Sequence, residues 1–425
     1  MNITELNGKT VCVLGYGREG KAMVSALEQY APECNITIAD SSDEVRSTKY
    51  EVQLGEHWLQ NLNRFDVIII SPGIPPNEKL SAHESQITNS TQIFLDSIDP
   101  ETTVIGVTGS KGKSTTASLL YAVLKEAGKD TILLGNIGDA AIAHLGDVHA
   151  DSLVVLEMSS YQLMRLKRSP QIAVITSMFP EHLNYHGTLE AYTEAKKRIA
   201  TFQNENDIVF FYSGSEGARE IAETSHGTKQ PYSDTDSPVA LEDTHLIGAH
   251  NLHNIAGAAA VCRHLGIQDD GMRNVLKEFR GLPHRLQDLG IHHGIRWIDD
   301  AISTTPESAM AALQALAPNV KVLIAGGQDR GNDFTELGTS LPSFGVRHII
   351  LMGESAPRIQ DAIRDPDIVI HHANSITEAV DIAKTLPTTK GGQPSIALLS
   401  PASPSYGMFR DFEEKGEAFA NAIHT

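Results

Sequence analysis

This 425-residue chain predicts an α/β architecture in which parallel sheets are covered by helices. Three observations carry that expectation. Apolar strand-like runs alternate with helix-period segments almost throughout. A glycine-rich GYGREG follows the first apolar run, and a second glycine-rich segment, GVTGSKGKSTT, follows a later one. The runs fall into three series. TVCVLGYG, ITIAD and DVIIISPG come first, followed by TVIGVTG, TILLG, LVVLEMS, AVITSM and DIVFFY. A third series begins near RWIDDA and continues through VKVLIAGG, RHIILMG, DIVIHH and SIALLSP. Breaks at SIDPETT and RGLPHR divide three expected domains: 1–97, Rossmann-like; 98–281, a central P-loop parallel-sheet ATPase domain; and 282–425, again Rossmann-like. The polar stretch YSDTDSPVALEDTH reads as a loop or edge meander of the middle domain.

Composition narrows the partners. With 34 basic and 53 acidic residues the formal charge is -19, which repels polyanions and makes nucleic acid an unexpected partner. A phosphate site in such a chain must be built locally. Cys12, Cys34 and Cys262 are an odd, widely spaced set without a CxxC, so neither a disulfide framework nor a zinc site is indicated. The start MNITELNGK lacks the pattern of a signal peptide, and no apolar run approaches the ~18 residues of a membrane span. A soluble, cytoplasmic protein with no membrane partner, acting as a monomer, is expected.

Gly109, Ser110, Gly112, Lys113, Ser114 and Thr115 lie between an apolar strand and a helix-patterned stretch. In that context glycines let successive N–H groups face an anion, Lys113 reaches terminal phosphates, and Ser114 can ligate Mg²⁺. ATP or GTP is the implied ligand. Generic P-loop spacing would put the first glycine at Val107, whereas here it is Gly109, a shortened form. Gly15-Tyr16-Gly17-Arg18-Glu19-Gly20 has Asp40 at the end of the next strand. It fits the pyrophosphate of a nucleotide, with NAD and an unoccupied tight turn as alternatives.

Glu157 ends an apolar strand, where P-loop folds place a second Mg²⁺ ligand, though an ordinary strand-end carboxylate reads the same way. His182 and His186 have helical i,i+4 spacing, but H-E-x-x-H is absent, which favours a single histidine beside a magnesium-bound phosphate over a zinc pair. The pairs His292-His293 and His371-His372 read as structural or exposed. Lys196, Lys197 and Arg198 sit on an amphipathic helix, whose default reading is a solvated face. Asn251, Asn254, Arg285 and Asp300 could bind nucleotide at a domain junction or cap a hinge.

In order along the chain, GYGREG, SPGIP, TGSKGKST, GNIG, EMSSYQL, the PEH segment, AYTEAKKR, HNLHN, GLPHR, AGGQDRGNDF and LLSPASPSYGMFRDFEEKGEAF resemble the landmarks of the Mur ligases of bacterial peptidoglycan synthesis. The likeness is strongest to those that add glutamate to UDP-N-acetylmuramoyl-L-alanine. It implies that Arg18 and Glu19 lie near the substrate pyrophosphate, Asp40 near uracil, and Ser71 among the substrate contacts. Asn136 and Ser159 would meet the muramoyl-alanine part. Lys113, Ser114 and Thr115 would hold ATP and magnesium, with Asn254, Arg285 and Asp300 completing the ATP site. Glu157 and His182 would bind two Mg²⁺ ions, and Lys196 aligns with a lysine carried as a carbamate that is linked to magnesium. Thr304, Arg330, Ser405 and Phe412 would form the glutamate pocket.

The implied reaction proceeds through an acyl phosphate, with Lys113, His182 and Lys196 as its catalytic groups. Two departures bear on stereochemistry: DDAISTT stands where D-glutamate enzymes read close to NDSKATN, and Arg330 replaces a pocket lysine. D-glutamate is the expected amino acid, and L-glutamate the alternative. A folylpolyglutamate synthase-like ligase and a non-catalytic nucleotide-binding protein are the rival functions.

Overall fold

The computed structural model describes residues 1–47, 49–136, 140–386 and 394–424. The last glycine of the GNIG landmark, Gly138, and its Ile137 lie outside them. The chain divides into two compact units, Met1–Ala240 with His250–Lys277, and Leu241–Ala249 with Glu278–Thr425.

The first unit holds two parallel sheets. Strands β1 (Thr10–Leu14), β2 (Asn35–Asp40), β3 (Glu51–Leu54), β4 (Val67–Ile70) and β5 (Ile87–Thr88) are ordered β3-β2-β1-β4-β5. Strands β6 (Thr103–Thr108), β7 (Thr131–Gly135), β8 (Leu153–Glu157), β9 (Ile172–Ile175), β10 (Ile208–Tyr212) and β11 (Thr228–Tyr232) are ordered β11-β10-β9-β6-β8-β7. The central strands are continuous apolar runs, VCVL in β1 and VIGV in β6, because helices cover both faces and no face is left for alternation. One buried apolar cluster runs through both sheets, joining Val13 and Ile69 to Phe94, Val104, Leu156 and Val209. Each glycine loop leaves the carboxyl end of a central strand and enters a helix, Arg18–Tyr30 or Lys113–Glu126. That is where open α/β sheets place ligands.

The second unit contains β12 (Gln287–His292), β13 (Ile295–Asp299), β14 (Val320–Ala325), β15 (His348–Leu351), β16 (Val369–His372) and β17 (Ser395–Leu399), ordered β12-β13-β17-β14-β15-β16. All pairs are parallel except β12 with β13. Sequence reading began this sheet at RWIDDA and missed β12. Its residues QDLGIH carry little apolar signal, and a register shift between Asp288 and Gly290 breaks the alternation. His293 and Gly294, at φ 56° and 77°, turn the chain back into β13. The stretch read as a loop forms two short 3-10 turns, Asp234–Asp236 and Leu241–Asp243.

Candidate active site

The loop after β6 is shaped by the residues packed around it. Gly109 has φ 151°, and a Cβ there would fall 1.9 Å from Thr176 Oγ1; Gly112 has φ 85°, and a Cβ would fall 2.2 Å from Asn254 Oδ1. No other residue fits either place. The Ser110 amide donates to Ser177 O at 2.8 Å, and Ser110 Oγ accepts the Phe179 amide at 2.8 Å while lying 2.8 Å from Tyr192 OH. Thr176 Oγ1 donates to Lys111 O at 2.6 Å. The following helix has Gly112 as its N-cap and no side-chain cap, so its first N–H groups are available to an anion. Lys113 Nζ donates to Gly109 O at 3.0 Å and Ser110 O at 2.8 Å, placing its charge over the loop. Ser114 and Thr115 open the helix beside it.

Asn254, on the helix Asn251–His264 that packs along Lys113–Glu126, is held by its amide donating to Asn251 Oδ1 at 2.9 Å. Glu157, at the end of β8, is 1% exposed. Its Oε1 accepts from Asn136 Nδ2 at 3.2 Å, and its Oε2 is buried without a hydrogen-bond partner. A buried carboxylate oxygen left so is costly unless a cation completes it.

Lys196 corrects the solvated-face reading. It is 1% exposed, its Nζ donating to Thr108 Oγ1 at 3.2 Å and Gly109 O at 2.8 Å and lying 5.1 Å from the Tyr192 ring centre. Its neighbour Lys197 takes the surface, pairing with Glu194 and Glu220. Burial, then the charge of Lys113, holds the Lys196 ammonium well below 10.5. His182 has φ 56° and precedes the short helix Leu183–His186, so the two histidines are not successive turns of one helix. His186 Nε2 lies 2.9 Å from Ser160 Oγ, whereas His182 packs against Tyr161 and Tyr192. Burial lowers the His182 pKa against the pull of Glu181. Among the described residues no three His, Cys, Asp or Glu side chains cluster as a metal cage.

Around the first loop, Gly15 has φ 90° and a Cβ on Gly20 would fall 2.0 Å from Gly15 O, so both glycines are required. Asp40 Oδ2 accepts the Tyr16 amide at 2.6 Å, and Ser71 Oγ donates to Gly15 O at 2.7 Å. Glu19 accepts from Ser90 Oγ and, at 3.0 Å, from Gln162 Nε2. Ser159 caps the Gln162-bearing turn. Arg18 is exposed at the start of the helix.

In the second unit the loops after β13, β14 and β17 are laced together: Ala402 N donates to Ser303 O at 2.9 Å and Gln328 N to Pro404 O at 2.8 Å. Asp300 is buried there, accepting from Ser400 Oγ at 2.8 Å and the Leu286 amide at 3.2 Å, and burial pushes its pKa up to about 6. Arg285 is exposed on the adjoining turn, and Thr304 is half-buried. Arg330 is exposed, its Nε donating to Gln328 Oε1 at 3.1 Å, with its guanidinium 5.3 Å from the Tyr406 ring centre. Ser405 Oγ is buried without a partner. Phe412 is half-buried, edge-on to His284. Sequence reasoning missed Lys415, buried with Nζ donating to Gly326 O at 2.9 Å and drawn down to about 8 by desolvation. It also missed Glu181 and Tyr192.

Fold and site together define an α/β protein whose glycine loop after β6 has two lysines, Lys113 and Lys196, donating to Gly109 O. The chain matches the Mur ligase middle domain over residues 107–233 and the Mur ligase glutamate ligase domain over 284–392. It is 32% identical to a UDP-N-acetylmuramoylalanine–D-glutamate ligase of Streptococcus agalactiae, covering 100% of this chain and 98% of the relative. It is equally 32% identical to a UDP-N-acetylmuramoyl-L-alanine–L-glutamate ligase of Xanthomonas oryzae pv. oryzae, covering 99% and 96%. Among solved structures, MurF ligase from Thermotoga maritima in complex with ADP superposes with a TM-score of 0.60 at 19% identity, over 100% of this chain and 97% of that one. The chain belongs to the Mur ligase family.

Proposed function

We propose that this protein is an ATP-dependent ligase that joins D-glutamate to UDP-N-acetylmuramoyl-L-alanine through an acyl phosphate, in the cytoplasmic synthesis of peptidoglycan precursors. The observation that carries the reading is the convergence of Lys113 and Lys196 on Gly109 O, with Glu157 and its unpartnered Oε2 opposite Val107 on the strand beside the one that leads into the loop. The full-length likeness to glutamate ligases supports the substrates. The proposed division of labour is 1–97 for the UDP substrate, 98–281 for ATP and 282–425 for glutamate, in a monomer.

In this reading the loop amides and Lys113 hold the ATP phosphates while Ser114, Glu157 and His182 hold Mg²⁺, and Asn254, Arg285 and Asp300 contact the rest of the nucleotide. The Glu157 oxygen without a partner and a His182 whose pKa burial lowers suit a divalent cation. Bound there, magnesium would screen the phosphate charges. Desolvation favours the neutral Lys196 amine, which can add to CO₂ and lose a proton, giving a carbamate. That would turn a buried cation into an anion suited to the metal.

Arg18, Glu19, Asp40 and Ser71 would fix the UDP end, and Asn136 and Ser159 the muramoyl-alanine end. The alanine carboxylate, so placed, attacks the γ-phosphorus and expels ADP. The amine of glutamate, held by Thr304, Arg330, Ser405 and Phe412, then attacks the acyl carbon and expels phosphate. Lys113 stabilises charge as it moves to the leaving ADP, and positioning supplies the remainder of the rate. The test offers ATP, UDP-N-acetylmuramoyl-L-alanine and either D- or L-glutamate, and follows phosphate release. Release with D-glutamate alone is expected. Release with L-glutamate alone overturns the enantiomer, and release with neither overturns the ligase.

A further inference from the structure

The phosphate loop carries two lysines, and the function above uses only Lys113. Lys111 is bound through its backbone: its carbonyl accepts from Thr176 Oγ1 at 2.6 Å and it forms an isolated bridge with Ser177. Its side chain is 64% exposed and pairs with Glu181 Oε1 at 2.6 Å. With its backbone pinned and its stem solvated, the side chain can exchange Glu181 for another anion at the helix start, two residues away.

Glu181 is more enclosed, 22% exposed, and it immediately precedes His182. The charges of Lys111, Lys113 and Lys196 all act on His182, as does that of Glu181. Glu181 is therefore a carboxylate set against one cation of the phosphate loop, Lys111. In a chain of charge -19, a polyphosphate gains from each added local cation.

We propose that Lys111 is a second phosphate ligand of the loop, for which the carboxylate of Glu181 and the terminal phosphate of ATP compete. The inference rests on the ATP-site reading above and assigns a phosphate contact that the reading leaves out. Lys111 acts as a mobile point charge. Glu181 stores that charge beside the loop, and the incoming triphosphate exchanges one anionic partner for another of higher charge.

The two members of the pair then have opposite effects on nucleotide binding, which a merely structural ion pair does not. Mg-ATP binding is measured by calorimetry on the full chain without the other substrates. Lys111→Gln is expected to weaken binding about tenfold, and Lys111→Arg to keep it within about threefold. Glu181→Gln is expected to tighten it about threefold, because the competitor is gone. The double variant should match Lys111→Gln. Thermal melts run in parallel show whether each variant is folded, and the exposed side chain of Lys111 makes its replacement a safe one. Equal affinities for wild type and Lys111→Gln, or weaker binding in both single variants, would overturn the proposal. If the wild-type chain itself fails to bind Mg-ATP, the site reading falls first and the proposal with it.

Discussion

The two glycine loops of the first unit share a backbone plan and differ in what fills it. Both leave a central parallel strand, both use a glycine at positive φ, and both open a helix. Around the first, carboxylates turn inward: Asp40 takes the Tyr16 amide, and Glu19 is held by Ser90 and Gln162. Around the second, lysines turn inward: Lys113 and Lys196 both donate to Gly109 O. A glycine loop is therefore a geometry, and the charges set beside it choose the anion. Acids beside a loop favour hydroxyl and N–H donors of a ligand over a bare anion. A loop furnished with cations suits a triphosphate whose charge must be stabilised as it shifts.

Substitutions can break this contrast, the largest effects coming at the second loop. Lys113→Ala should lower kcat/KM by at least about 10³-fold, since it removes charge stabilisation made in the transition state; steady-state phosphate release checks it. Glu157→Gln should cost about 10²-fold in kcat and raise the Mg²⁺ concentration for half-activity, read from a magnesium titration.

Lys196→Met separates chemistry from stability. Activity should disappear while the protein melts no lower than wild type at neutral pH, because a buried ammonium is costly and methionine is not. The sign follows from linkage. The folded pKa lies below the ordinary 10.5, so the unfolded chain binds the extra proton and wild-type stability rises with pH towards 10.5. Chemical denaturation across pH should accordingly show wild type gaining on Lys196→Met as pH increases. The smallest effect belongs to the first loop. Arg18→Ala should raise KM for the UDP substrate about tenfold with kcat nearly unchanged, the mark of uniform binding. A large fall in kcat there would erase the distinction between the loops.

The sequence made the strands and both loops legible because those signals are local. An apolar run, a glycine at a required positive φ and a helix start lie within a dozen residues of one another. The antiparallel β12 was not legible, since a bulged polar edge strand carries no alternation. Residue pattern also could not tell Lys196 from Lys197. Adjacent lysines on one helix differ by about 100° of rotation, and only tertiary packing decides which points under Gly109. The family resemblance pointed to Lys196 where periodicity did not. Glu181 and Lys415 were missed for the same reason, as each gains its meaning from a partner on another element, Lys111 and Gly326 O.

The central claim is that the second loop serves carboxylate activation rather than simple nucleotide storage. It is tested most directly by supplying UDP-N-acetylmuramoyl-L-alanine labelled with ¹⁸O in the alanine carboxylate, together with ATP and D-glutamate, and weighing the phosphate released. An acyl phosphate transfers one carboxylate oxygen to phosphorus, so the phosphate should carry a single ¹⁸O per turnover. Unlabelled phosphate from a working reaction would contradict the account.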